Sequence, residues 1–164
     1  MESTGWGRDG WAVAPGEGQP VRTGGPHWLE VLLRGADTGG TMGAFVFEHD
    51  VIVENPSHAH GNFAKIVFVL TGEYEFRVGD AEFAGSPGSL VYVPRGSQHT
   101  FTTASGGRML FVSVPAGNEE LFLEMGRLGP DPSADDLAGL NQRFNTYGLP
   151  GDSGRPWRLM RGES

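Results

Sequence analysis

From residue 27 onward, the chain consists of short apolar runs separated by Gly, Pro, Asp and Asn. This texture predicts strands over 28–33, 43–48, 51–54, 63–70, 73–78, 81–83, 88–93, 100–103 and 109–114. Side chains alternate across several of them, most clearly from Glu73 to Val78. Many short strands with turn residues between them argue for an antiparallel sandwich or barrel. The period changes after Pro115. Leu121, Phe122, Met125 and Leu128 fall on one helical face, with Glu119 and Glu120 in the first turn, and Gly129 can end the helix. Ser133 followed by Asp136 resembles a capping box and opens a second helix, expected over 134–146, with Leu137, Leu140 and Phe144 on one face. Both helices are expected to cover one side of the sheets. The expected plan is an arm over 1–26, a barrel over 27–116, packed helices over 117–149 and a tail over 150–164. The arm (anchors Trp6, Trp11 and Val13) can add an edge strand, and the tail can dock through Trp157.

Composition narrows the choices. The chain has 164 residues, which suits one core. Its 27 glycines and 11 prolines are scattered and fit frequent tight turns. It has no cysteine, so disulfides, zinc-thiolate sites and cysteine nucleophiles are excluded. A formal net charge of -8 argues against binding nucleic acid. No apolar run is long enough to span a bilayer. Residues 1–11 lack a basic segment followed by an apolar one, so a cytoplasmic protein is expected.

Three histidines carry candidate chemistry. His58 and His60 stand two apart in a segment that reads as extended, so both imidazoles leave the same face. His99 follows the turn Pro94-Arg95-Gly96 at the start of another strand. Three imidazoles on a rigid sheet suit one divalent transition metal, namely Fe, Mn, Ni, Co or Zn, with positions open for water or substrate. His27 and His49 have no partner at a recognisable spacing and are read as structural.

The wider spacing of these residues carries a resemblance. Pro56-Ser57-His58-Ala59-His60, then position 65, then Gly72 resembles the first signature of the cupin superfamily. Gly88, Pro94-Arg95-Gly96 and His99 resemble the second. Thr38-Gly39-Gly40, Pro115-Ala116-Gly117 and Arg143 with Tyr147-Gly148 look like small monocupins related to quercetin 2,3-dioxygenase. The resemblance implies an all-β fold, a single cupin jelly-roll barrel with short C-terminal helices. It also implies a homodimer, because family barrels commonly pair through edge strands. Three positions depart from the pattern: Ile52 replaces a glycine, Thr103 an asparagine, and Lys65 the usual metal-binding glutamate.

Lys65 is the only lysine in the chain. Strand alternation turns it inward, together with Val67 and Val69. Beside a dication its proton affinity and the metal's affinity both fall. It is the candidate catalytic residue: an acid or base, a Schiff-base former, or an anchor for a substrate anion. Phe45, Phe47, Val67, Tyr74, Phe76, Phe101, Thr103, Met109 and Phe111 are the expected lining of an apolar substrate pocket, suited to an aromatic or polyketide-like small molecule. Three functions follow as expectations. The first is a three-histidine dioxygenase of quercetinase-like type. The second is a non-redox cyclase, isomerase or aldolase-type enzyme with the metal as Lewis acid. The third is a non-enzymatic ligand-binding protein.

Overall fold

The computed structural model describes residues 9–22, 28–52 and 56–148. Trp6, His27, Trp157 and the rest of the expected tail lie outside the described residues. Among these residues, eleven strands and two α-helices follow in the order β1 (Gln19–Val21), β2 (Trp28–Leu33), β3 (Gly43–His49), β4 (His58–His60), β5 (Ala64–Thr71), β6 (Tyr74–Val78), β7 (Ala81–Gly85), β8 (Leu90–Val93), β9 (His99–Thr102), β10 (Gly107–Val114), α1 (Asn118–Arg127), α2 (Ala134–Arg143) and β11 (Thr146–Gly148). One sheet runs β1-β2-β3-β10-β5-β8 and the other β11-β4-β9-β6-β7. The all-β jelly roll expected from the sequence is present. Its two sheets face each other without closing into a hydrogen-bonded barrel.

Alternation sets the inner face. On β5, Lys65, Val67 and Val69 are buried while Ile66, Phe68 and Leu70 are half-exposed. On β6, Tyr74 and Phe76 are buried while Glu75 and Arg77 meet solvent. Register stacks these choices into rows: Phe45 sits opposite Phe111, which sits opposite Val67, which sits opposite Val91. Phe45 and Phe111 lie almost parallel, with ring centroids 4.9 Å apart. Burying each such side chain contributes about 1.5–3 kcal/mol.

Helix α1 packs on β1, β3 and β10, and α2 packs on α1 and β11. Glu119 in the first turn of α1 is fully buried. Its carboxylate accepts hydrogen bonds from Gly35 N–H (3.1 Å), Gly117 N–H (3.0 Å) and Ser113 Oγ (2.9 Å). Gly43 makes room for it, since a Cβ there would lie 1.9 Å from Glu119 Cδ. Three donors at the dipole-positive end of a helix stabilise this buried anion and clamp α1 to β3 and β10. Arg34 adds a two-pronged pair to Glu120, at 2.9 and 3.0 Å.

Two expected elements differ. The strand expected over 51–54 is reduced, among the described residues, to a single bridge between Ile52 and Thr103. The second helix stops at Arg143 instead of Thr146. Asn145 takes a left-handed conformation (φ 50°), which turns the chain into β11. No described helix is long and apolar enough to cross a membrane.

Candidate metal centre

His58 and His60 come from β4, and His99 opens β9. The two strands pair with His58 directly opposite His99. The sequence places the first two rings on one face, and the sheet adds the third. Ring centroids are 4.9 Å apart for His58 and His60, 4.5 Å for His58 and His99, and 5.5 Å for His60 and His99. All three side chains are buried. Each offers one ring nitrogen, and the three nitrogens lie within 4.8 Å of one another.

Hydrogen bonding favours one tautomer. His58 Nδ1 lies 3.0 Å from the Pro56 carbonyl, and His99 Nδ1 lies 2.9 Å from the Ser97 carbonyl. A carbonyl only accepts, so both Nδ1 atoms carry the proton and each Nε2 carries a lone pair. His60 Nδ1 lies 3.0 Å from Thr146 Oγ1. His99 Nε2 is buried without a hydrogen-bond partner. Burial, followed by the charge of Lys65, lowers His58 to about 3. The same causes hold His60 and His99 well below the usual imidazole range. The rings are therefore neutral at pH 7, the form that binds a cation. A tetrahedral ion with bonds of about 2.1 Å holds its nitrogens about 3.4 Å apart, so nitrogens at the outer limit of this spread close on it by about 0.8 Å each. The residues fit a divalent transition metal.

Lys65 lies on the facing sheet, paired in register with Ser113 and Val93. It is buried as alternation required, and its Nζ stands 5.6 Å from the centre of the Phe111 ring. Burial lowers its pKa to about 7. No ion pair to Lys65 occurs among the described residues.

The expected pocket residues are placed as follows. Phe45, Phe47, Val67, Tyr74, Phe76, Met109 and Phe111 form the core cluster, and Phe101 packs against it. Thr103 is buried, and its hydroxyl donates to the Glu73 carbonyl at 2.6 Å. His49 is also inside, 3.0 Å from the Tyr74 hydroxyl. A cleft of about 400 Å³ lies elsewhere, lined by Asn62, Phe63, Glu120, Glu124, Arg143 and Phe144 among others. Phe63 connects this cleft to the centre, because its ring stacks on His60 with centroids 4.6 Å apart. Sequence reasoning missed Thr146, Phe63 and Glu119. Thr146 falls at the end of the expected helix. Phe63 reads only as the start of an apolar run. Glu119 reads as an ordinary acidic first-turn residue.

Comparison with known proteins agrees with this fold. Residues 50–115 match the Cupin_2 family, described as a cupin domain. The fold is a cupin jelly roll. An RmlC-like cupin from Shewanella frigidimarina is similar over 68% of this chain and 96% of its own, at 18% identity and a TM-score of 0.58. KdgF from a Halomonas species covers 68% of this chain and 99% of its own, at 14% identity and a TM-score of 0.59. A predicted oxalate decarboxylase from Thermotoga maritima covers 64% and 99%, at 16% identity and a TM-score of 0.54. At these identities the likeness shows the cupin fold alone. No curated protein matches the chain.

Proposed function

We propose that this cupin is a metal-dependent enzyme acting on a small aromatic or polyketide-like metabolite, of the three-histidine dioxygenase type. The observation that carries the reading is the convergence of three neutral, buried imidazoles whose Nδ1 atoms are engaged by the protein. His58, His60 and His99 would hold the ion through Nε2. A bound divalent ion would supply Lewis acidity and, if redox-active, electron transfer. The Phe63 ring, stacked on His60 and lining the adjoining cleft, helps exclude water and favours an apolar substrate. Lys65 Nζ contributes a proton donor or acceptor on the facing wall, or the positive charge that holds a substrate enolate or carboxylate.

One observation favours a second reading. A buried lysine with a pKa brought to about 7 by desolvation is suited to proton transfer in a non-redox cyclase, isomerase or aldolase-type reaction. Metal analysis of the purified protein, with oxygen uptake on catechol, flavonol and diketone substrates, separates the two. Iron, manganese, nickel or cobalt with uptake supports the dioxygenase. Native zinc with no uptake on any substrate supports the second reading. No stoichiometric binding of any added transition metal refutes both. Borohydride trapping of a substrate adduct on Lys65 would identify a Schiff base. The expected homodimer is supported by the exposure of Leu90 and Tyr92 on edge strand β8; a monomer in sedimentation velocity would refute it.

A further inference from the structure

His58 and His99 take their Nδ1 partners from carbonyls two residues upstream, at Pro56 and Ser97. His60 Nδ1 lies instead beside a side chain from 86 positions away. After α2, Asn145 turns the chain so that β11 pairs with the free side of β4, with Thr146 opposite His60 and Gly148 opposite His58. Strand β4 is thereby held between β9, which carries His99, and β11. The joint is tight. Gly61 N–H donates to the Asn145 carbonyl at 2.8 Å, and a Cβ on Gly61 would lie 2.0 Å from Asn145 Nδ2. Thr146 is 5% exposed, and its Oγ1 lies 3.0 Å from His60 Nδ1. Asn145, Thr146 and β11 lie beyond residues 50–115, the part that matches the cupin domain.

We infer that Thr146 is a positioning residue for the metal centre, so that the C-terminal strand β11 completes a site the matched cupin domain leaves unfinished. The inference rests on the metal-centre reading above. By accepting the Nδ1 proton of His60, Thr146 keeps the lone pair on Nε2 and fixes the ring's rotation. Without the hydroxyl, apo His60 can move its proton to Nε2, the other tautomer of the neutral ring. The metal-bound form cannot, since Nε2 is then committed. The loss therefore falls on metal affinity more than on the apo fold.

The test uses the full chain and Co²⁺ alone, titrated against a competing chelator. Thr146→Val, which keeps shape and removes the hydroxyl, should weaken Co²⁺ binding by about 10- to 100-fold and alter the visible spectrum of the bound ion. Thr146→Ser restores the hydroxyl and should bind within about threefold of the parent. The apo unfolding midpoints of the two variants should match. Parent-like affinity in Thr146→Val overturns the inference while leaving the metal centre intact. Equal weakening in both variants also overturns it, since rescue by serine is required. If Thr146→Val does not fold, Thr146→Ala takes its place against the same serine control. A parent protein that binds no Co²⁺ removes the metal-centre reading and this inference together.

Discussion

Replacing Lys65 with methionine tests whether the facing wall carries a genuinely desolvated amine. Burial moves the lysine from its ordinary 10.5 to about 7, with no carboxylate compensating. The unfolded chain therefore holds the proton more tightly than the native one between about pH 7 and 10.5. The folded state is penalised most below pH 7, and the penalty fades as pH rises. Worked through linkage, it is on the order of 4 kcal/mol at pH 7.5 and on the order of 1 kcal/mol at pH 9.5. Lys65→Met removes it without leaving a cavity. The apo variant should be more stable than the parent, and the gain should shrink by on the order of 2–3 kcal/mol between those two pH values. Urea unfolding of metal-free protein at pH 7.5 and 9.5 measures this, in a window above the titration of unfolded histidine. Any stability change from packing alone is the same at both pH values. A gain that does not change with pH refutes the buried-amine argument; a loss at pH 7.5 refutes the claim that this lysine costs the fold anything.

Three further outcomes follow from the same physics. Lys65→Glu should tighten binding of a transition metal by at least about tenfold, since an anion replaces a cation near the ion, and should change or abolish turnover; unchanged activity would make Lys65 a bystander. The apo protein should lose stability as pH falls below about 6.5, because the unfolded chain takes up protons that buried His58, His60 and His99 refuse. The loss approaches about 1.4 kcal/mol per pH unit for each imidazole, and urea midpoints that stay flat from pH 7 to 5 would contradict the buried neutral rings. Glu119→Ala should lower stability by about 3–5 kcal/mol, as the Gly35 and Gly117 N–H groups and the Ser113 hydroxyl lose their acceptor; a drop under about 1 kcal/mol by thermal and urea unfolding would show that the clamp is dispensable.

The sequence by itself determined what depends on neighbours a few residues apart. The two-residue period puts His58 with His60 and turns Lys65 inward with Val67 and Val69, and the structure buries all five. Punctuation by Gly and Pro located β2, β3 and the run from β5 to β10, and Ser133 with Asp136 located the start of α2. Tertiary structure decided what depends on residues far apart. Whether Phe45, Phe47 and Phe111 stack as core or line a cavity looks identical in a strand pattern; cross-strand register brings them into contact. A threonine at the end of a helical run carries no local sign that it will reach an imidazole 86 residues earlier. Nor does an acidic first-turn residue announce that three donors from separate segments will enclose it. Periodicity records which face of its own element a side chain occupies. The partner it meets there is set by how distant elements close on one another, which leaves no periodic trace in the chain.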